Sequence, residues 1–91
     1  RAMSKTAAGR DLREILRLFD DGQIDLRDVA LRIEAVGLSV YAEDRDAAEV
    51  LKGLAIQIAL RGAELEDGEP GEEDRDRLLA EVSEVADRLS G

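Results

Sequence analysis

Asp20, Asp21 and Asp25 crowd around Gly22 in the stretch FDDGQID, residues 19–25. Carboxylates gathered at a glycine turn are the hard oxygen ligands that a divalent cation takes, so an ion site is the first chemistry to weigh. The chain offers few others. It has no cysteine and no histidine. That removes thiolate ligands, the cysteine nucleophile, and the imidazole that serves most often as general base or transition-metal ligand. Lys52 is the amine of interest, because a desolvated lysine can act as a nucleophile. Its helical position falls on a polar edge, where a lysine keeps its ammonium in water. Paired carboxylates of the glycosidase kind need a cleft and a set separation, and a chain of 91 residues seldom encloses one. No catalytic residue, metal or cofactor is therefore expected.

The same stretch resembles the middle of an EF-hand loop, which carries glycine at position six, an apolar residue at eight and a bidentate Glu at twelve. With Gly22 at position six, Ile24 falls at eight and Asp28 at twelve, but positions one and three become Arg17 and Phe19. A cation and an aromatic ring then stand where calcium needs carboxylates. The competing reading is the corner of a helical hairpin, and it accounts for every residue without a metal. Gly22 follows the last turn of one helix, where glycine takes a left-handed C-cap at least cost. Asp25 is a good N-cap for the next helix, with Asp28 as a weaker capping-box partner. Ile24 and Val29 have the spacing of a hydrophobic staple.

These caps sit inside a periodic pattern. Leu12, Ile15, Leu16 and Phe19 form one stripe of a first helix over 11–21. Leu18 lies at the edge of that stripe. Leu26, Val29, Ala30, Ile33 and Val36 share one face of a second helix, which Gly37 is expected to close. Residues 38–44 then form a connector whose apolar side chains fold back onto the core. A third helix is expected over about 44–65, with Val50, Leu51, Leu54, Ile58 and Leu65 inside an arc of ~100°. Gly53, Ile56, Leu60 and Ala63 form a second stripe on another side. A helix apolar on two sides has neighbours on both, so it is read as the central helix. Gly53 costs ~1 kcal/mol relative to alanine in a helix interior, which predicts that another helix approaches closely there. A fourth helix places Leu78, Leu79, Val82, Val85, Ala86 and Leu89 on a single face.

The predicted fold is all-α, a small four-helix array: the hairpin of helices one and two, the long central helix three, and a C-terminal helix four. Residues 11–91 form a single helical domain behind a tail at 1–10, in which Arg1 and Ala2 read as a cloning remnant ahead of a native Met3. The stretch IDLRDVALRIEAVGLSV also resembles a DNA-binding helix-turn-helix. In that motif the turn glycine follows the alanine by four residues, whereas Ala30 and Gly37 are seven apart. Glu43, Asp44 and Asp46 would also face the phosphates with the wrong sign.

Net charge is −9, and no basic stripe marks the chain as a nucleic-acid binder. Glu66, Asp67, Glu69, Glu72 and Glu73 concentrate acid in and just after a loop over 65–72. That loop reads either as a solvated connector or as an acidic surface for a basic partner. Glu72 and Glu73 also suit the N-terminus of helix four, as Arg88 suits its C-terminus. No apolar run reaches the ~20 residues of a membrane span, no secretory signal opens the chain, and a cytoplasmic setting is expected. Eleven arginines against two lysines point to a GC-rich coding sequence.

Function is then expected to come from contact, not chemistry. Gly53, Ile56, Leu60 and Ala63, with Leu31 on helix two, are the candidate partner-binding residues. Two arrangements are open: the second stripe packs inside the monomer between the hairpin and helix four, or it meets another chain. The expected function is a non-enzymatic acidic helical interaction module that neutralises or scaffolds a basic protein, as small bacterial immunity and antitoxin proteins do. The hairpin over residues 12–36 is broadly similar to those in such proteins. The alternatives are a self-associating structural subunit of a larger assembly, or a regulatory nucleic-acid or ion-binding domain.

Overall fold

The computed structural model describes residues 4–65 and 69–90. Arg1, Ala2 and Met3 lie outside the described residues, as do Glu66 and Asp67 of the acidic loop. The rest is almost wholly helical: α1 (Lys5–Asp20), α2 (Leu26–Val40), α3 (Arg45–Glu64) and α4 (Glu72–Ser90). No strand occurs among the described residues. At 20 residues, α3 is the longest element. The all-α four-helix array expected from the periodicity is what forms.

Three helices begin on side-chain caps that satisfy a backbone donor left free in the first turn. Ser4 Oγ accepts from the Ala7 N–H at 3.2 Å, an Asp25 carboxylate oxygen from Asp28 at 2.9 Å, and Asp44 from Ala47 at 3.0 Å. The Ser4 cap starts α1 earlier than the sequence suggested. Residues 5–10, expected in a tail, are helical, and Ala8 and Gly9 are buried.

At the other end of α1, the Gly22 N–H donates to Phe19 O at 3.0 Å and the Gln23 N–H to Leu18 O at 2.9 Å. Gly22 has φ 77°. This is a Schellman closure, the left-handed turn that a β-carbon resists. FDDGQID is therefore a helix terminus running into the Asp25 cap. Phe19, the would-be third position of a calcium loop, is buried.

Gly37 does not end α2. The helix runs through it to Val40, so the connector shrinks to residues 41–44. The continuous helix also removes the turn that a helix-turn-helix would require at this glycine. A Cβ on Gly37 would stand 3.4 Å from Leu51 Cβ and 3.5 Å from Ala48 O. Here the missing side chain lets α3 come close.

Neighbours in sequence are neighbours in space. α2 packs on α3 and α1 on α4 most extensively, α1 packs on α2 less so, and α3 touches α4 least. The backbones of the diagonal pairs do not pack on one another. Leu26 lies against Gly62 and Gly37 against Leu51, so α2 and α3 run antiparallel. Gly9 lies against Ala86, and Arg75 stacks 4.7 Å over the Phe19 ring, so α1 and α4 do too. The result is an up-down bundle of 37 × 20 × 19 Å.

Its core is aliphatic around one ring. Phe19, Leu12, Ile33, Leu51, Val29, Val40 and Val82 are the largest fully buried side chains, and no polar side chain is buried among the described residues. Each such burial removes apolar surface from water, worth about 1.5–3 kcal/mol for a full Leu, Ile, Val or Phe. The faces read from α1 and α2 are all buried. On α4 only Leu79 is half-buried. The face of α3 departs from expectation: Leu51 and Ile58 are buried with Ala47, Ala48 and Ala55, while Val50 is exposed.

Candidate interaction surfaces

The outer side of the α2–α3 pair carries large apolar side chains in water. Leu38 is 74% exposed, Leu31 and Leu60 61%, Ile56 52% and Tyr41 44%. Leu31 and Leu38 recur at helical spacing along α2, turned away from its buried face, and Tyr41 at its C-cap follows them. Ile56 and Leu60 stand one turn apart on α3. Leu38, Tyr41 and Ile56 line one shallow groove of about 360 Å³ between the two helices. The Leu26–Gly62 and Gly37–Leu51 contacts set a register that brings Leu31 level with the turn holding Ile56 and Leu60.

The second stripe of α3 is thus not packed inside the monomer. Ile56 and Leu60 are exposed, and so is Ala63. The predicted close approach at Gly53 does not occur: a Cβ there would meet nothing within 4 Å. The bundle is square, so α3 touches two neighbours through one broad face, and its opposite side has no partner among the described residues. Leu38 and Tyr41, which sequence reasoning folded back onto the core, belong to the same outer surface. Their signal was present. Once Gly37 is read as helical, Leu31, Leu38 and Tyr41 continue one stripe.

Polar groups around this surface are balanced in sign. Glu34 and Glu49 share its groove with Lys52, and the Arg45 guanidinium lies 5.5 Å over the Tyr41 ring. Lys52 is exposed at the polar edge.

A second surface lies between α3 and α4. These helices are pinned at both ends by ion pairs. Arg61 donates to Asp74 Oδ2 through Nε at 3.0 Å and Nη2 at 2.8 Å, and Arg88 Nη2 reaches Asp44 Oδ1 at 3.3 Å. The Arg61 hydrogen bond holds the Asp74 carboxyl below the usual aspartate range. Asp44 is also held low, first by the Ala47 N–H it caps and then by Arg88 and Lys5. Around the Arg61–Asp74 pair, which stands in its lining, the helices part over a groove of about 510 Å³. Its floor is Leu54 and Ile58 of α3 with Leu78 and Val82 of α4, and Glu64, Glu73 and Glu81 stand in its lining. Toward the Arg88 end it continues past Val50, Glu84 and Val85.

Of the predicted acidic surface, Glu69, Glu72 and Glu73 are exposed. Glu72 and Glu73 occupy the first turn of α4 with Asp74, where negative charge meets the positive end of the helix dipole. Among the described residues, no three His, Cys, Asp or Glu side chains converge as a metal ligand set, and no helix is long and apolar enough to cross a membrane.

Neither a protein-family model, nor a curated protein, nor a solved structure matches this chain.

Proposed function

We propose that this protein is a non-enzymatic helical interaction module that binds a basic protein through exposed apolar surface on a chain that is acidic as a whole. The observation that carries this reading is the outer face of α2 and α3, where Leu31, Leu38, Tyr41, Ile56 and Leu60 are all exposed. Contiguous apolar side chains in water mark contact sites on small soluble domains. A net charge of −9 adds long-range attraction for a cationic partner, which raises the rate of encounter. The lack of histidine and cysteine and the open grooves support contact over catalysis. The test is affinity capture from cell extract with wild-type and Leu38→Glu/Ile56→Glu baits. A basic protein held by the first and lost from the second, with both baits folded, supports the reading. Equal retention on both contradicts it.

A second reading, self-association, is favoured by one observation. The charges beside the α2–α3 groove, Glu34, Glu49, Lys52 and Arg45, balance, so a copy laid across it meets no net repulsion there despite the acidic whole. Light scattering over a concentration series tests it. Dimers that form in wild type and dissociate in Leu60→Glu support it, and a monomer at all concentrations rejects it.

A further inference from the structure

We infer that the α3/α4 groove is the docking site for a basic amphipathic helix of the partner protein. This rests on the interaction-module reading and adds to it a second surface and the chemistry of the element received there. The groove exists because α3 and α4 are held together at their ends and packed least of any adjacent pair between them. From Ala47 to Arg61 the open stretch spans roughly 20 Å at ~1.5 Å per residue, which matches about four turns of a docked helix. Half-buried Leu54, with the exposed edges of Ile58 and Leu78, supplies an apolar floor over the fully buried Val82. Val50, 45% exposed on the same side, extends it. Such a floor takes the apolar stripe of a helix, with anchors one turn apart.

The rim decides the sign of that helix. Glu73 and Glu81 line the groove and Glu84 follows them along α4. None of the three joins an ion pair among the described residues. Arg61 is already engaged by Asp74, leaving Arg77 as the other basic group of the lining. Lysines or arginines flanking the apolar stripe would therefore meet carboxylates that no cation among the described residues engages. A second copy of this chain would bring more acid to the same rim.

A model peptide tests the inference: an acetylated, amidated amphipathic helix of about 18 residues made of leucine and lysine, titrated into the intact protein. Backbone amide shifts and calorimetry give the site and the affinity. The expected result is saturable binding with shifts concentrated in residues 47–61 and 73–85. A scrambled peptide of the same composition should bind more weakly. Val50→Glu and Glu81→Lys/Glu84→Lys should each weaken the helix by about tenfold or more, with helicity unchanged by circular dichroism. If one variant does not fold, the other decides. Shifts confined to Leu31, Leu38, Ile56 and Leu60 would overturn the groove assignment and leave the interaction-module reading standing. Equal binding of the scrambled peptide, or no binding, would also overturn the groove assignment, and the capture experiment judges the module reading separately.

Discussion

Gly62 presses against Leu26: a Cβ on the glycine would lie 3.3 Å from the leucine Cβ. Nine residues earlier on the same helix, Gly53 has nothing within 4 Å of where its Cβ would stand. One glycine permits α2 and α3 to pack, and the other gives the monomer nothing. Gly53→Ala is therefore expected to stabilise the fold by about 1 kcal/mol, the helix propensity recovered, and to raise Tm. Gly62→Val should lower Tm, because its branches enter the α2 backbone. Thermal melts followed by circular dichroism check both, and a Tm decrease for Gly53→Ala would show that the site is crowded.

The hairpin corner makes a second prediction. Gly22 has φ 77° and closes α1 through hydrogen bonds to the last turn. Gly22→Ala should cost about 1–2 kcal/mol, the left-handed penalty of a side-chain-bearing residue, with Gly22→Asn milder. Calcium titrated into the wild type should leave the Gly22 amide resonance in place. A saturable shift there would reassign the turn.

Asp44 makes a third. It caps α3 and receives Lys5 at 3.5 Å and Arg88 at 3.3 Å, so three helices meet at one carboxylate. Its pKa is lowered in the fold, first by the Ala47 N–H and then by the two cations. The unfolded chain thus takes up the proton more readily than the folded one. The stabilisation is complete well above the ordinary aspartate value of about 3.9 and is lost as pH falls through that value and the lowered one. Asp44→Asn keeps a capping side chain but removes the charge. It should flatten the fall of Tm on acidification below about pH 5. An unchanged slope would place the acid sensitivity elsewhere, with Asp74 and Glu14, also held low by arginine hydrogen bonds, the next to examine.

The hairpin was legible because its signals are local: Gly22 and Asp25 carry their caps within a few residues. The single faces of α1, α2 and α4 were legible for a related reason, since large aliphatic side chains repeat there with helical period. What misled was small residues. Gly37 looked like a stop because glycine is a poor helix former, yet packing against Leu51 and Ala48 keeps it inside α2. Ala47, Ala48 and Ala55 form much of the core face of α3, where close packing on α2 favours short side chains over Val50. Alanine carries little weight in a hydrophobic pattern, so that face appeared rotated toward Val50. The apolar stripe of Gly53, Ile56, Leu60 and Ala63 was visible in the sequence. Its exposure depends on how α2 and α4 sit around α3, which no periodicity encodes.

Methyl spectra of the protein alone and with its captured partner test the central claim most directly, because Leu and Ile methyls report contact side chain by side chain. The Leu31, Leu38, Ile56 and Leu60 methyls are expected to shift and broaden on complex formation. Those of Leu12 and Ile33, fully buried between the helices, should hold their positions. If the exposed methyls keep their free-protein positions in the complex, binding does not use the outer face of α2 and α3, and the account is contradicted.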